Sequence, residues 1–414
     1  MTRMFRSLRH RNFRLFITGT TVSHTGTWMQ RVAQDWLVVT LADNDGVALG
    51  ITTALQYLPA LLFSPWSGVL ADRYPKRSIL MVSASAMAVA ALALGLLDLT
   101  GAVRLWHVYG LAFVLGLGSA LEIPARQSFV FEMVGPEDTA NAVGLHSTSW
   151  NLGRTMGPVL AGWGIVVTGT GEVIVVNALS YGAVLVTLAR MRTSDLRPGT
   201  PLTRAPGQLR EGIRYLRRTR DLSLLMCLVL STGVWGQNLA ICITLMATQE
   251  FHTGPQALGL LTTALAVGAL FGSLRAASKG LLGLRPVIVG IAAFGVVAAA
   301  AGGSPQFLVF AGLLVVAGFM LMMFTTSANS TIQLRADPAF RGRVNALYVT
   351  VLQGGTALGA PVVGLLGAQL GARWALVIAG TCTIATAMVG ALILVRRRGV
   401  SVRQALRLSH QRAG

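Results

Sequence analysis

The chain has 414 residues, 53% of them hydrophobic and only 12% charged, where soluble domains carry about a quarter charged residues. That balance, with apolar runs near 20 residues recurring along the chain, excludes an ordinary soluble domain and fits helices that cross about 30 Å of hydrocarbon. The net charge of +19 raises nucleic acid as a partner, which the placement of the basic residues removes below.

Twelve spans are predicted, at 13–40, 47–71, 78–98, 105–131, 141–168, 172–191, 222–248, 256–277, 285–302, 305–332, 345–369 and 374–395. The runs are continuous rather than alternating, which argues against a β-barrel. The basic opening, Arg3 to Arg14, leads into a full-length apolar segment with no small-residue cleavage site, so it reads as the first helix and not as a removed signal.

Span 1 carries the densest constellation. His24, Trp28, Arg31 and Asp35 are spaced 4, 3 and 4, which puts them on one helical face, and Thr27 and Gln34 flank them. Ionisable groups inside a span face a wet cavity or a partner. Arg31 and Asp35, at i and i+4, can also neutralise each other. Span 2 adds Gln56 and Tyr57, and span 4 adds Glu122 and Arg126. Asp35 and Glu122 are the acids well inside spans, and burial moves a carboxyl toward the working pH range. They are the candidates for proton coupling, together with His24.

Span 5 brings Trp150, Asn151 and Arg154, interleaved with Gly153, Gly157 and Pro158. The glycines suit close helix approach. The central loop, 192–221, is the one long polar stretch, and its Arg-rich end reads as an amphipathic helix on the inner membrane surface. Span 7 holds Trp235, Gln237 and Asn238, span 10 holds Asn329 within a run of hydroxyl and amide residues, and span 11 holds Gly355, Gly359 and Pro361. These polar and aromatic residues suit an amphipathic organic substrate; for each, interhelical hydrogen bonding is the alternative. Cys227, Cys242 and Cys382 lie in apolar segments, without the spacing of a metal site or a disulfide.

Alternate loops differ sharply in charge. Twenty-nine of the 34 Lys and Arg residues fall on one side, in the N-terminal arm, the 2–3, central, 8–9 and 10–11 loops and the tail, while only Arg104 and Arg373 fall on the other. The positive-inside rule makes the first side cytoplasmic, with both termini there. The basic residues therefore set topology and meet lipid headgroups; nucleic acid is not the partner. The loop at 192–221 divides a six-helix half, 1–191, from a second, 222–414, with its basic cytoplasmic tail. Asn141-Ala142 and Asn345-Ala346 begin spans 5 and 11 at an offset of 204 residues, and Gly68 and Gly272 share that offset. Such duplication is a recurrent transporter architecture, with substrate bound between the halves.

The segment Gly68-Val69-Leu70-Ala71-Asp72-Arg73-Tyr74-Pro75-Lys76-Arg77 closely resembles the 2–3 loop signature of the major facilitator superfamily. Gly153 to Pro158 is similar to the span 5 signature of its exporters. Arg11 to Phe16, Gly26 to Ala33 and Pro124 to Gln127 look like the bacterial siderophore and drug exporter branch. Span 4 departs from the drug-antiporter pattern, with Glu122 and Arg126 instead. The resemblance implies an all-α membrane protein of twelve transmembrane helices in two six-helix pseudo-symmetric halves. It implies secondary transport of a small molecule across the bacterial cytoplasmic membrane, with export by proton antiport and alternating access. Uptake is the runner-up, and a non-transporting sensor a more distant one. It implies a conformational latch built on Gly68, Asp72, Arg73, Lys76 and Arg77 with Arg126. The expected partners are a small-molecule substrate, protons and the lipid bilayer, for a monomer without cofactor. No nucleotide-binding, nucleophile-elbow or zinc-protease motif appears, so an enzyme is not expected.

Overall fold

The computed structural model describes residues 3–197, 208–279, 283–338 and 340–397. The first six long helices are α1 (Arg11–Leu41), α2 (Gly46–Arg73), α3 (Lys76–Leu99), α4 (Leu105–Val134), α5 (Thr139–Val167) and α6 (Thr170–Ala189). A short helix, α7 (Gln208–Arg218), precedes a broken rod made of α8 (Arg220–Ser231), a π turn at Thr232–Gly236, α9 (Leu239–Leu245) and a second π turn at Met246–Glu250. Then follow α10 (Pro255–Lys279), α11 (Leu284–Gly302), α12 (Phe307–Arg335), α13 (Arg341–Leu370) and α14 (Ala372–Arg397). No strand occurs among the described residues.

Ten of these rods are long and apolar enough to cross a membrane. The other two, α1 and α5, are 31 and 29 residues long but carry the polar stripes read from the sequence. The twelve expected spans thus resolve into ten apolar crossings and two equally long, more polar helices. The connections are tight. Between α1 and α2, Asp43 and Asn44 take left-handed conformations, and Asp45 caps α2 by accepting from the Val47 amide at 2.8 Å.

The two halves meet along α2 with α13 and along α5 with α10. A Cβ at Gly50 would lie 2.6 Å from the Ala360 carbonyl oxygen, and one at Gly162 would lie 2.7 Å from the Pro255 carbonyl oxygen. Thr263 donates to the Thr155 carbonyl at 3.3 Å and Gln249 to the Asn44 carbonyl at 2.9 Å. All these contacts lie toward the end of the molecule that bears the α1–α2 turn. The same α5 face, continued by helical periodicity, leaves Thr148 and Gly144 exposed, and the matching α13 face leaves Ala346 exposed.

The cores divide in the same way. One apolar cluster at the α1–α2 turn end draws on both halves, through Leu49, Ile165, Leu258 and Val363 among others. At the opposite end there are two clusters, each inside one half, around Phe13, Phe16 and Phe129 and around Leu225, Ile291 and Phe324. The halves therefore converge at one end and splay at the other. Their contacts correspond at an offset of 202 residues for α5 and α13, as Gly153, Gly157 and Gly162 match Gly355, Gly359 and Gly364, rather than the 204 read from the helix starts.

Ion pairs tie together the splayed end of the first half. Lys76 meets Glu132 at 2.9 Å, and Arg77 donates to the Leu188 carbonyl at 2.8 Å. Asp138, at the N-terminus of α5, accepts from His10 at 2.7 Å and from Arg9 at 2.8 Å, and forms an ion pair with Arg6 at 3.0 Å. The hydrogen bond from His10, with the charges of Arg9 and Arg6, holds the Asp138 carboxyl below its usual range.

The amphipathic helix of the central loop forms at α7, but it docks on protein. Tyr215 stacks on Phe340 at 4.5 Å and accepts from the Asp337 amide at 3.0 Å, and Arg343 meets Glu211 at 2.7 Å. The loop residues 198–207 and the tail beyond 397 lie outside the described residues.

Candidate functional site

A cavity of about 160 Å³ lies between the halves. Its polar wall is Trp28, Arg31 and Asp35 of α1, Gln56 and Tyr57 of α2, and Arg154 of α5. Gly236 and Gln237, at the first π turn, line it from the other half, and α10 and α12 supply an apolar wall that includes Leu265, Leu321 and Met322. The site is therefore two-faced, polar from the first half and mainly apolar from the second.

Arg31 and Asp35 do not pair. The Arg31 guanidinium lies over the Trp28 ring, 4.7 Å from its centroid, and donates to the Tyr57 hydroxyl at 3.2 Å. Side chains on a helix lean toward its N-terminus, so Arg31 reaches back to Trp28 rather than forward to Asp35. Neither Asp35 nor Arg154 has a hydrogen bond or ion pair to a described residue. Both face the cavity.

Glu122 and Arg126 form a second centre, one turn apart on α4 and 3.0 Å from each other. Arg126 and Glu122 thus pair within α4. Arg126 also approaches His24 Nε2 at 3.2 Å. An arginine only donates, so Nε2 accepts, the ring is neutral, and Nδ1–H donates to Ser149 Oγ at 3.0 Å. Ser149 lies 2.9 Å from Thr21 Oγ1, which donates to the Ile17 carbonyl at 2.6 Å. Trp150 packs edge-on against both His24 and Trp28. Gly153 and Gly157 permit this assembly, since a Cβ at Gly157 would lie 2.6 Å from Trp28 Cβ. Gly355 and Gly359 play the same packing part against the broken rod, and a Cβ at Gly355 would lie 2.9 Å from the Leu230 carbonyl oxygen. Pro158 and Pro361 lie on the seams with α10 and α2.

Other expected lining residues sit elsewhere. Asn238 is buried and donates to the carbonyls of Val234 at 2.8 Å, Thr356 at 3.2 Å and Gly233 at 3.3 Å, so it staples the π turn to α13. Trp235 packs against the shared core. Asn151 donates to the Ser147 carbonyl on its own helix, and Asn329 accepts from Gln333 on an exposed face. Among the latch residues, Gly68 is buried in α2 and Arg73 is exposed at its end. Among the described residues, Lys76 and Arg77 find their partners within the first half. The Asp72 side chain lies outside the described residues.

A second, smaller chamber of about 90 Å³ lies behind Arg31 and Tyr57. Gln34 lines it, as do Gln30, Asn177 and Tyr181, three residues absent from the sequence expectation. His146, whose ring centroid is 5.2 Å from that of His24, is absent from it too. His146, Trp150 and Arg154 recur every four residues on α5, a stripe visible in the sequence. Gln30 and Asn177 meet across 147 positions, a pairing that leaves no local signal.

The family model described as transmembrane secretion effector matches residues 2–409. The chain belongs to this family of major facilitator transporters. It is 26% identical to the staphyloferrin A transporter of Staphylococcus aureus, over 63% of this chain and 65% of that protein. It is 22% identical to macrolide efflux protein A of Streptococcus pyogenes, over 87% and 91%. It is 24% identical to the enterobactin exporter of Citrobacter koseri, over 78% and 77%.

The fold resembles a bacterial homolog of the human lysosomal transporter Spinster, solved inward-facing and unoccupied, with a TM-score of 0.70 at 14% identity, over 92% of this chain and 95% of that one. It also resembles the nucleoside transporter NupG, with a TM-score of 0.73 at 12% identity, over 92% and 99%. The protein is thus a multi-pass membrane transporter of the major facilitator type.

Proposed function

We propose that the protein exports small amphipathic organic molecules from a bacterial cell by proton antiport and alternating access, with both termini cytoplasmic. The observation that carries this reading is the cavity between the halves, where Asp35 faces the space with no partner among the described residues. An ionised Asp35 accepts a hydrogen bond from a donor group of the substrate; a protonated one does so far less well. Proton and substrate then compete for one carboxylate, which is the requirement for exchange.

The charge bias of the loops supports an inward-facing arrangement, with the splayed end toward the cytoplasm. The paired seams of α2 with α13 and α5 with α10 supply the surfaces on which the halves rock. Relatives named for efflux and export support the direction. Glu122 and His24, both tied to Arg126, position the α1–α4–α5 junction and do not carry the proton.

The test is uptake of a panel of fluorescent amphipathic dyes into everted vesicles under an imposed pH gradient, with and without a protonophore. The native protein and Glu122→Gln are expected to show gradient-driven uptake, and Asp35→Asn to lose at least tenfold. Full gradient-driven uptake by Asp35→Asn overturns the assignment of the proton site.

A further inference from the structure

The chamber behind Arg31 and Tyr57 has an unusual polarity. It is walled by α1, α2, α4 and α6, with Gln353 from the second half, and Arg31 is its only ionised group. Gln30 and Gln34 are 3% and 1% exposed, and the Nε2 group of each is buried without a hydrogen-bond partner. The Gln30 and Asn177 carboxamides meet each other, and Ser180 Oγ lies 2.8 Å from both the carbonyl and the side-chain oxygen of Asn177. Tyr57 accepts from Arg31, which leaves its O–H free to donate. On the wall of the larger cavity, Trp28 Nε1–H is also buried without a partner.

Buried N–H groups left unpaired cost free energy, and clusters of them persist where something else completes them. Here the Arg31 guanidinium and the Tyr57 hydroxyl converge as donors beside the Gln34 carboxamide, whose buried Nε2 is unpaired, and none of the described lining residues is acidic. The volume, about 90 Å³, is that of about three waters or one small polar group.

We propose that this chamber is a headgroup subsite, which receives the oxygen-acceptor end of the substrate, such as a carboxylate or a carbonyl-rich group, while the apolar body lies against α10 and α12. It rests on the transporter reading only in placing the chamber on the substrate path. Gln34 is then a specificity residue that acts on the polar end and leaves the apolar body untouched.

The test is equilibrium binding to the full chain in lipid nanodiscs with no gradient, using 1-naphthylacetate and 1-naphthylmethylammonium as probes and Trp fluorescence as the readout. The native protein is expected to bind the acetate at least tenfold tighter than the ammonium. Gln34→Leu removes one donor to a charged acceptor and is expected to weaken the acetate about tenfold or more, with the ammonium unchanged. It removes an unpaired buried amide, so its Tm is expected to hold or rise; Gln34→Asn, which keeps a shorter donor, is expected to bind the acetate with intermediate affinity.

Equal affinity for the two probes, failure of both to bind, or acetate binding indifferent to both Gln34→Leu and Tyr57→Phe, as for a chamber that holds water only, overturns the proposal. Vesicle transport is measured separately with amphipathic dyes that carry both a hydrogen-bond donor and either an acceptor or a cationic end. Transport without acceptor preference sinks the subsite alone, whereas selective binding without transport sinks the exporter reading alone.

Discussion

Replacing Gly50 by alanine tests the rocking surfaces directly. An added Cβ would lie 2.6 Å from the Ala360 carbonyl oxygen, 3.0 Å from Pro361 Cα and 3.2 Å from the Ala360 carbonyl carbon. All three are backbone atoms of a facing helix, so no side chain can swing aside and the seam itself must open. Overpacking of this kind costs roughly 1–3 kcal/mol, and it falls only on the state in which α2 and α13 are closed at this end. The better helix propensity of alanine, about 1 kcal/mol, applies to both states and cancels. The population open at the α1–α2 turn end is therefore expected to rise about 5- to 150-fold. The assay is alkylation of Thr53→Cys, on the cavity wall, by an impermeant maleimide from outside the cell, with Cys227, Cys242 and Cys382 replaced. Gly110→Ala, where a Cβ meets nothing within 4 Å, is the control. An unchanged rate in a folded Gly50→Ala protein, or an equal rise in the control, refutes the reasoning.

Two further outcomes follow from the packing and the charge. Asn238→Ala removes the donor to two carbonyls of the first π turn and to the Thr356 carbonyl of α13, and is expected to cost about 1–3 kcal/mol, read as a lowered Tm in detergent. The Asp138 carboxyl is held below its usual value, so its contribution is fully present above the ordinary carboxylate range and is lost as pH falls through the lowered pKa. Protection of the Arg3–Arg9 arm against hydrogen exchange is expected to be unchanged between pH 7 and 5, whereas Asp138→Asn is expected to lose it at pH 7; loss of native protection already at pH 5 counts against the cluster.

Ten of the spans were legible as long apolar runs, and the α1 stripe because its polar residues recur at helical spacing. Three things were hidden for physical reasons. The fate of Arg31 depends on side-chain direction along a helix, which spacing alone does not carry. Asn238 and Trp235 follow or sit within a π turn, where an extra residue per turn rotates the later face away from its 3.6-residue phase. The apolar wall of the cavity, Leu265 and Met322 among it, is composed like any lipid-facing or core surface, so nothing in the sequence separates it from them. The second chamber arises from residues of five helices that meet only in the fold.

The polarity of α1 and α5 also bears on how the protein reaches the bilayer. At a helix centre, Arg or Asp opposes insertion by about 2.5–3.5 kcal/mol, while each Leu, Ile, Phe or Val favours it by about 0.3–0.6 kcal/mol. With Arg31 and Asp35 together costing about 5–7 kcal/mol against about 3–6 kcal/mol from its ten Leu, Ile, Phe and Val residues, α1 inserts poorly on its own. It leaves the synthesis machinery first, more than a hundred residues ahead of α5, its eventual neighbour. Early retention of α1 therefore falls to its basic flank, Arg3 to Arg14, and to the apolar α2 that follows. The helices that carry the polar stripes are the poorest swimmers in lipid, and the chain's heavy apolar majority serves as their escort.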